Sequence, residues 1–272
     1  MEFIDAGYAR STCTTQCLRS AMIASTAGAS SRLYLMIPIG TSTTGGMSGL
    51  HEVGICIIGA GGIGASLLRQ LAPILSINPI AERVGGVEIS IFDSDLVDRK
   101  NIHHQPFESG DIGKSKVSVL CDSMIDFQSQ FLYICGHACD IRSREELMDY
   151  DIVVACVDSS TARIATHSTE GHWLDLRCRG DNYLALDHRV DRAFIDSMTD
   201  PEQKPGSCQF DGAVESGNVQ FGHLWAAAHG CQWVIQCLRM VTGDEGAMLP
   251  YPKSESITFG TLERFPLPEE GD

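Results

Sequence analysis

The segment from Gly54 to Leu75, GICIIGAGGIGASLLRQLAPIL, constrains the fold of this chain more than any other part of the sequence. It begins with a short apolar run typical of a buried strand, continues through a glycine-rich turn, and ends in apolar residues at helical spacing. Glycines between a strand and a helix let the backbone approach phosphate groups, which the free N–H groups and the helix dipole attract. A tight turn without a ligand is the alternative. The residues expected to form the phosphate cradle are Gly59, Gly61, Gly62 and Gly64.

Further strands and helices alternate along the chain after this turn. Continuous Val and Ile runs predict strands that are buried on both faces. When such strands alternate with helices, they form a mostly parallel sheet with helices on both sides. We therefore predict a Rossmann-like α/β fold. Strands are predicted at 87–92, 131–135, 151–157 and 172–176, and helices at 117–125, 161–168 and 222–238.

Composition divides the chain into three parts. Residues 1–50 are rich in Ser, Thr, Gly and Ala, which predicts an N-terminal extension or arm. Residues 51–242 are expected to form the α/β domain, with a polar loop insertion at about 177–216. Residues 243–272 are rich in proline and acidic residues, and they are expected to form a frayed C-terminal tail.

The charge balance limits the partners that the chain can bind. It has 20 Lys and Arg residues against 35 Asp and Glu residues, a formal net charge of −15. An acidic surface repels nucleic acid and anionic membranes, and a partner with a basic face is easier to accommodate. No apolar run reaches the length that is needed to cross a bilayer. We therefore expect neither nucleic acid nor a membrane as a partner.

The eleven cysteines form no regular framework and include no C-x-x-C pair. This pattern argues against both a disulfide scaffold and a zinc site made of paired cysteine knuckles. Several cysteines, such as Cys56 and Cys156, lie in apolar runs and are interpreted as small buried side chains in a reducing compartment. Because the N-terminus also lacks the order of a signal peptide, we expect a cytoplasmic protein.

An ordered set of polar residues follows the second predicted strand. It runs Asp93-Ser-Asp95-Leu-Val97-Asp-Arg-Lys-Asn101-Ile-His-His104-Gln105, continues with Asp111-Ile-Gly113-Lys-Ser-Lys116, and ends at Asp158 after a later buried strand. This set resembles the adenylation-domain signature of the ThiF/MoeB/HesA and ubiquitin-activating enzymes, D-x-D-x-V-x-x-x-N-L-x-R-Q, then D-x-G-x-x-K, then Asp. The resemblance covers roughly Gly54 to Asp158 and implies an adenylation domain of the ThiF/MoeB type.

The resemblance assigns roles to individual positions. An acid at the end of the second strand is suited to bind a ribose hydroxyl, and Asp93 or Asp95 takes that role. Asn101 and Lys116 would contact the phosphates of ATP, with Gln105 beside them, and Asp158 would coordinate Mg²⁺. These roles agree with electrostatics, because a lysine and a magnesium ion can absorb the negative charge that builds at an attacked phosphate.

One position departs from the family signature. His104 stands where the family has an arginine, and histidine is a weaker cation whose charge depends on pH. Another cation could replace it, since the family commonly inserts an arginine from the N-terminal region of a neighbouring subunit, which implies a homodimer. The candidate cations are Lys114, Arg10, Arg19 and Arg32.

Two cysteines are candidates for a reactive thiol. Cys208 lies in a polar stretch that is expected to be a mobile loop, and it resembles the Ser-Cys loop of the short ThiF-like proteins of bacterial PRTRC gene clusters. Cys178 is flanked by Arg177 and Arg179, and two cations are expected to lower the pKa of its thiol. The alternative is that neither cysteine takes part in the reaction.

The resemblance implies an adenylyltransferase that uses ATP and Mg²⁺. Its substrate would be the C-terminal carboxylate of a small ubiquitin-like or sulfur-carrier protein. Lys116, Asp158 and His104 would act in catalysis, with transfer to Cys208 as a further step. The alternatives are adenylation of a small-molecule carboxylate and a module that binds nucleotide or partner without turnover. A nicotinamide or flavin oxidoreductase is disfavoured, because neither cofactor explains Asn101, Lys116 and Asp158 together.

Overall fold

The glycine-rich turn joins a buried strand to a long helix, as the sequence predicts. The structure is a computed structural model, and it describes residues 52–202 and 206–267. The expected arm at residues 1–50, with Arg10, Arg19 and Arg32, lies outside these residues. Strand β1 (Val53–Ile58) precedes the turn and helix α1 (Gly62–Ile77) follows it.

The strands of the described residues form one mixed sheet. After β1 they are β2 (Val87–Phe92), β3 (Leu132–His137), β4 (Ile152–Ala155), β5 (His172–Arg179), β6 (Asn182–Asp187), β7 (Lys253–Ser256) and β8 (Gly260–Arg264). Their order across the sheet is β3-β2-β1-β4-β5-β6-β7-β8. The strands from β3 to β5 in this order pair in parallel, and β6, β7 and β8 add antiparallel pairs. The predicted Rossmann-like, mostly parallel sheet is confirmed.

Helices cover both faces of the sheet. After α1 they are α2 (Pro79–Arg83), α3 (Lys116–Ser123), α4 (Ser160–His167), α5 (Arg192–Ser197) and α6 (Gly222–Val241), with short 3₁₀ turns at Ser109–Asp111, Ile125–Phe127 and Arg144–Leu147. No helix in the described part of the chain has the length and apolar character that a membrane span requires.

The central strand shows why its sequence is apolar without interruption. Ile55 and Ile57 join the core cluster that also holds buried residues of α1 and α6, whereas Cys56 and Ile58 join the cluster on the opposite face, with residues of α4 and α5. Successive side chains of a strand point to opposite faces, so both sets need apolar residues when both faces are covered. The two cores lie on either side of β1.

The winding of the chain leaves a crevice beside the carboxyl ends of the central strands. From β1 the sheet extends through β2 on one side and through β4 on the other. The loops that follow β1 and β4 therefore diverge, and ligands of open α/β sheets bind at such a point. The glycine turn follows β1, Asp93 follows β2, and Asp158 lies just after β4, so all three reach the same edge of the sheet.

Two segments have more regular structure than their composition predicts. The polar loop expected at about 177–216 contains the end of β5, all of β6, and α5, and the frayed tail expected at 243–272 contains β7 and β8. The β8 strand has mostly exposed residues, and β7 has only Ser256 fully buried, so neither carries the apolar run that marks an inner strand. The tail is nevertheless anchored, because the Phe265 side chain after β8 is only 1% exposed.

Candidate nucleotide site

The glycine turn is built so that the backbone can pass close to itself. Gly59 has a φ of 98°, in the left-handed region that glycine tolerates best. A Cβ atom on Gly64 would overlap the carbonyl oxygen of Gly59, so no larger residue fits there. Gly61, in contrast, would bring a Cβ no nearer than 4.0 Å to its closest neighbour, the Gln105 side chain. The absence of a side chain at Gly64 therefore lets the backbone of the turn pack against itself, and the absence of one at Gly61 leaves the space beside the turn open.

Asp93 ties the ends of two strands together. Its carboxylate accepts hydrogen bonds from the backbone N–H groups of Ala60, at 2.7 Å, and of Asp95, at 2.8 Å. Burial raises the pKa of Asp93 above its ordinary value, while Lys116 and the two backbone N–H groups pull the pKa down. Each carboxylate oxygen keeps a second lone pair, so the group can still accept a hydrogen bond from a ligand hydroxyl.

Lys116 is a nearly buried cation at the start of α3. Its side chain is 7% exposed, and its Nζ lies 2.7 Å from Asp95 Oδ2 and 4.0 Å from Asp93 Oδ2. Asp95 is 67% exposed in its side chain, so water can solvate it when the lysine moves to another anion. The lysine is therefore shared between two carboxylates, and the exposed one can give it up to a phosphate group.

The turn after β2 carries the next three predicted residues. Asn101 is buried, and its Oδ1 accepts a hydrogen bond from the Asp98 backbone N–H at 2.8 Å, which fixes the turn. The ring centroids of His104 and His223 are 6.3 Å apart. His104 Nδ1, Gln105 Oε1 and His223 Nδ1 are buried, and none of them has a hydrogen-bond partner among the described residues.

Unsatisfied buried polar atoms are costly, and native proteins leave few of them. Three such atoms beside an open glycine turn are what a site for a polar ligand requires. The residues present therefore fit a phosphate-bearing ligand, because the imidazole nitrogens and the backbone N–H groups of the glycine turn can donate to phosphate oxygens, whereas Gln105 Oε1 and the Asp93 carboxylate can accept from ligand hydroxyl groups.

Asp158 supplies the carboxylate on the opposite side of the crevice. It is exposed, it lies three residues after the end of β4, and it lines the cavity. No cluster of three or more His, Cys, Asp or Glu residues that could hold a metal occurs in the described part of the chain. A magnesium ion that keeps several waters needs only one or two carboxylates besides the phosphates, so the single carboxylate of Asp158 fits this ion.

One cavity of about 1920 Å³ joins these residues. Typical small-molecule pockets have roughly 300–1,000 Å³, so this cavity has room for a nucleotide and for part of a second molecule. Among the described residues predicted to bind the nucleotide or to act in catalysis, Gly64 does not line the cavity, because it supports the turn instead. The predicted residues that line the cavity are Gly59, Gly61, Gly62, Asp93, Asp95, Asn101, His104, Gln105, Lys116, Asp158 and Cys208.

Lys114 does not reach the cavity as an alternative cation. Its side chain is 60% exposed and forms an ion pair with Asp111 at 3.1 Å. Lys116 lies two residues later, but it begins α3 and is buried, so the helix start separates the two lysines. Of the cations proposed to replace the missing arginine, the three from the N-terminal segment stay untested predictions.

Sequence reasoning missed a buried cluster of arginines around one carboxylate. Asp175 on β5 is 0% exposed and accepts hydrogen bonds from Arg177, at 2.7 and 3.0 Å, and from His167 at 3.0 Å, if that nitrogen carries the proton. Arg163 Nε of α4 lies 3.7 Å from the same carboxylate. Burial by itself would raise the pKa of Asp175, but Arg177, His167 and Arg163 lower it well below its ordinary value. Arg163 and Arg177 also line the cavity.

The sequence carried only a weak signal for this cluster. Asp175 sits inside an otherwise apolar strand, and a charge in a buried strand requires a partner. Its partners come from α4 and from its own strand, and the chain order does not show that α4 packs against β5. The contact is a consequence of the fold.

The two candidate thiols lie together. Cys178 of β5 and Cys208 both line the cavity, and each shifts the pKa of the other. The pKa of Cys178 is raised, mainly by Cys208 and by burial, which contradicts the expectation that Arg177 and Arg179 lower it. The reason is geometric, because neighbours on a strand point to the opposite face from Cys178.

The Cys208 thiol has the opposite shift. The neighbouring Cys178 lowers the pKa of Cys208 most, and Arg163 adds to this, while burial and Asp158 oppose it. Cys208 is also partly buried, and its backbone carbonyl accepts a hydrogen bond from Gly180 N–H at 2.7 Å. The expected mobile loop is therefore attached to the sheet at this residue.

Comparisons with known proteins agree with this fold. The model of the ThiF family matches residues 34–169, which is half of the chain. The NEDD8-activating enzyme E1 catalytic subunit of Dictyostelium discoideum is 33% identical over 121 residues, which are 43% of this chain and 25% of that protein. Adenylyltransferase and sulfurtransferase UBA4 of Eremothecium gossypii is 30% identical over 130 residues, which are 44% of this chain and 26% of that protein.

The match to these curated relatives therefore spans about a quarter of their length. Among solved structures, PaaA has a TM-score of 0.52 and 17% identity, with 79% of this chain and 65% of that chain covered. At this identity the likeness concerns the fold. The fold and the glycine turn define a Rossmann-like α/β protein of the adenylation-domain type. The chain belongs to the ThiF family.

Proposed function

We propose that this protein activates a carboxylate with ATP and Mg²⁺. The substrate is the C-terminal carboxylate of a small ubiquitin-like or sulfur-carrier protein, and the product is an acyl adenylate. The observation that carries the proposal is the convergence of the glycine turn, Lys116 and Asp158 on one cavity at the point where the winding of the sheet reverses.

The reaction requires the protein to align the reactants and to stabilise negative charge. A carboxylate oxygen of the substrate attacks the α-phosphorus of ATP, a P–O bond to the acyl group forms, and the bond to pyrophosphate breaks. The carboxylate is already ionised, so no general base is needed. Catalysis then consists of alignment and of stabilising the charge on the phosphate oxygens.

Residues of the cavity divide this work. The backbone N–H groups of the glycine turn hold phosphate oxygens, and Asp93 accepts a ribose hydroxyl. Lys116 exchanges Asp95 for a phosphate oxygen, with Asn101 and Gln105 beside it. Asp158 would hold Mg²⁺, which supplies positive charge to the phosphates when it is bound.

The size and charge of the site support a protein substrate. The cavity exceeds the volume of a nucleotide site, so it has room for the last residues of an extended peptide. The formal charge of −15 favours a partner with a basic face. One curated relative is by its printed name a NEDD8-activating enzyme and the other an adenylyltransferase and sulfurtransferase, which supports the same substrate class.

The experiment is ATP–pyrophosphate exchange with Mg²⁺. Small ubiquitin-like and sulfur-carrier proteins that end in Gly-Gly are supplied one at a time, and free small carboxylic acids form a second panel. Exchange should depend on a protein substrate and should be lost in Asp158→Ala. The matched control is Asp149→Ala, which removes an exposed carboxylate outside the cavity and should leave exchange unchanged.

Other outcomes of this experiment support the alternatives. Exchange only with small acids would replace the protein substrate with a small-molecule carboxylate. ATP binding without exchange in either panel would favour a module that holds nucleotide or partner without turnover. His104 favours that second candidate, since a neutral imidazole stands where the family signature has a permanent cation.

A further inference from the structure

The segment of residues 98–105 runs along the cavity from the start of α3 to the glycine turn. Just before it, the Val97 backbone N–H donates to the Lys114 carbonyl oxygen at 2.8 Å, which places the segment beside α3. At its end, a Cβ atom on Gly61 would lie 4.0 Å from Gln105 Nε2, so the Gln105 side chain reaches the glycine turn. The residues between these two points therefore lie on the side of the cavity that fits phosphate groups.

Backbone hydrogen bonds hold this segment in a fixed turn. The Asp98 carbonyl oxygen accepts from the Asn101 N–H at 2.9 Å, and the Asp98 carboxylate accepts from the Lys100 N–H at 3.0 Å. The Asn101 carbonyl oxygen then accepts from the Gln105 N–H at 2.8 Å. Arg99 lies inside the first of these turns, so its backbone is held in place although the residue is exposed.

Two permanent cations of this segment face the cavity. Arg99 and Lys100 both line it, and in the described part of the chain neither side chain forms an ion pair. Their neighbour Asp98 already accepts the Lys100 backbone N–H. A cation at the rim of a cleft that no neighbouring carboxylate neutralises is available to an anionic ligand.

The same segment contains the residue that departs from the family signature. Burial lowers the pKa of His104, so the position that carries an arginine in the family holds a neutral ring here at pH 7. Lys114 does not compensate, because it pairs with Asp111 at 3.1 Å. Arg99 precedes His104 by one turn of the chain and has the permanent charge that the ring lacks.

The position of the ribose site indicates which phosphates lie near this cation. The Asp93 carboxylate accepts the Ala60 backbone N–H at 2.7 Å, so the ribose site adjoins the glycine turn. A nucleotide whose ribose is bound by Asp93 therefore brings its first phosphate onto that turn. The two outer phosphates then extend away from Asp93, past Lys116, along residues 98–105.

We infer that Arg99 binds the outer phosphates of ATP and supplies, from within the same chain, the cation that the family signature places at His104. Its guanidinium is planar and can donate two parallel hydrogen bonds to phosphate oxygens, whereas Lys100 offers a point charge. When the bond between the α-phosphorus and pyrophosphate breaks, the electron pair goes to pyrophosphate, and the guanidinium stabilises that charge. This inference rests on the proposed function, because it takes ATP as the ligand.

The first test is calorimetric titration of the full chain with ATP and with AMP in the presence of Mg²⁺. Arg99→Met should weaken ATP binding about tenfold, the share of one charge-assisted contact. AMP binding should be unchanged, because AMP lacks the outer phosphates. Arg99→Lys keeps the charge without the fork and should restore only part of the affinity. The matched control, Arg83→Met, changes an exposed arginine of α2 outside the cavity and should alter neither titration.

Three results of these titrations would overturn the inference. They are an unchanged ATP affinity in Arg99→Met, an equal loss of AMP affinity in that variant, and an equal loss of ATP affinity in Lys100→Met. The last result would show that the charge of the rim attracts ATP without a specific contact at Arg99. Retained AMP binding also shows that a variant is folded.

The second test is pyrophosphate exchange at saturating ATP with the substrate that supports it in the wild type. Exchange should be about tenfold slower in Arg99→Met, because the contact to the leaving group is lost. Unchanged exchange would overturn the role of Arg99 and leave the arginines of the N-terminal segment as the source of the cation. If the wild type binds ATP but shows no exchange, adenylation is refuted, and the titrations alone decide on Arg99.

Discussion

In each of two charged clusters at the cavity, one charged side chain lies between two side chains of the opposite charge. The central side chain is a lysine in one cluster and an aspartate in the other, and we call the two clusters walls. In the cradle wall, formed by residues 59–64, Asp93, Asp95 and Lys116, one lysine lies between two carboxylates. In the arginine wall, formed by Arg163, Asp175 and Arg177, one carboxylate lies between two arginines. The surplus charge is negative in the first wall and positive in the second.

The walls also differ in what solvent can do for that surplus. The Asp95 side chain of the cradle wall is 67% exposed, so water solvates it and Lys116 can leave it at little cost. The Asp175 side chain of the arginine wall is 0% exposed, and the Arg163 side chain is 6% exposed. Removing one charge from a buried cluster leaves the remaining charges buried without a partner, which is strongly destabilising. We therefore expect the cradle wall to exchange partners during function and the arginine wall to hold the fold together.

The largest expected effect belongs to Asp175→Asn. This change leaves the buried guanidinium of Arg163 and the largely buried one of Arg177 without their carboxylate, and it should lower the free energy of unfolding by about 3–5 kcal/mol. Asp95→Asn is the matched change in the cradle wall and should cost less than about 1 kcal/mol, since its partner stays beside Asp93. Urea denaturation of both variants measures the difference. Equal losses would show that the two walls do not differ in the way proposed.

The pH dependence of stability provides a second test of the role of Asp175. The folded pKa of Asp175 lies below its ordinary value, so the group adds stability above its unfolded pKa, and this stability is lost as pH falls toward the folded pKa. Wild-type stability should therefore fall between about pH 5 and pH 2 more steeply than that of Asp175→Asn. Parallel slopes in urea titrations at each pH would contradict this.

The next largest effect concerns the cradle wall alone. Lys116→Met keeps a long side chain but removes the charge, and pyrophosphate exchange should fall roughly 10²–10³-fold, as when a donor to a developing oxyanion is removed. Alkylation of the Cys208 thiol by iodoacetamide should be unchanged, because Lys116 pairs with Asp93 and Asp95 and is not among the groups that shift the pKa of Cys208. A loss of thiol reactivity along with exchange would show that the cradle wall is coupled to Cys208.

The sequence predicts the cradle wall but not the arginine wall, because the two walls are assembled from different parts of the fold. The cradle wall comes from residues close to the ends of β1 and β2, and parallel strands end at one edge, so the positions of Gly59 and Asp93 fix their meeting. The arginine wall depends on which face of α4 packs on β5. The position of Cys208 depends on the hydrogen bonds between Gln209 and Gln220. These two residues are distant in sequence, so no local sequence pattern predicts their contact.

The antiparallel end of the sheet was missed for a different reason. β7 (KSES) has no apolar side chain and β8 (GTLER) has only Leu262, so neither strand shows the apolar alternation that marks a half-buried strand. Their sequences therefore do not differ from that of a polar tail. β6 was hidden in the same way by Asn182 and Asp187 at its two ends, although Ala185 and Leu186 between them are fully buried.

A pair of glycine changes in the cradle wall should separate folding from ligand binding. Gly64→Ala places a methyl group against the Gly59 carbonyl and should cost about 1–3 kcal/mol of stability as an overpacked site. Gly61→Ala meets nothing closer than 4.0 Å and should leave stability within about 0.5 kcal/mol, but its methyl group should weaken ATP binding where the backbone lines the cavity. Thermal melts and ATP titrations give the two readouts. Equal melting temperatures for the two variants would contradict the geometry.

The smallest expected effect tests whether the cradle wall recovers a cation when its ligand arrives. Burial, followed by His103 and Lys116, lowers the pKa of His104, so this imidazole is neutral at pH 7 without a ligand. The groups facing it are these two residues and His223, whose own pKa is lowered. The phosphates of ATP favour the protonated ring, so binding should take up a proton, and affinity should rise as pH falls.

The measurement is the dissociation constant of ATP between pH 8 and pH 6. Wild-type affinity should rise by up to about tenfold, the change that one proton taken up over one pH unit allows. His104→Gln should remove most of this pH dependence, and the pH dependence of His223→Gln shows how much of the proton uptake occurs on the second ring. The control is His172→Gln, which changes a histidine outside the cavity and should leave the pH dependence intact. If affinity does not change with pH in the wild type, His104 stays neutral beside the nucleotide. The permanent cation of the family signature then has no replacement at this position, and any compensating charge must come from elsewhere in the chain or from a second subunit.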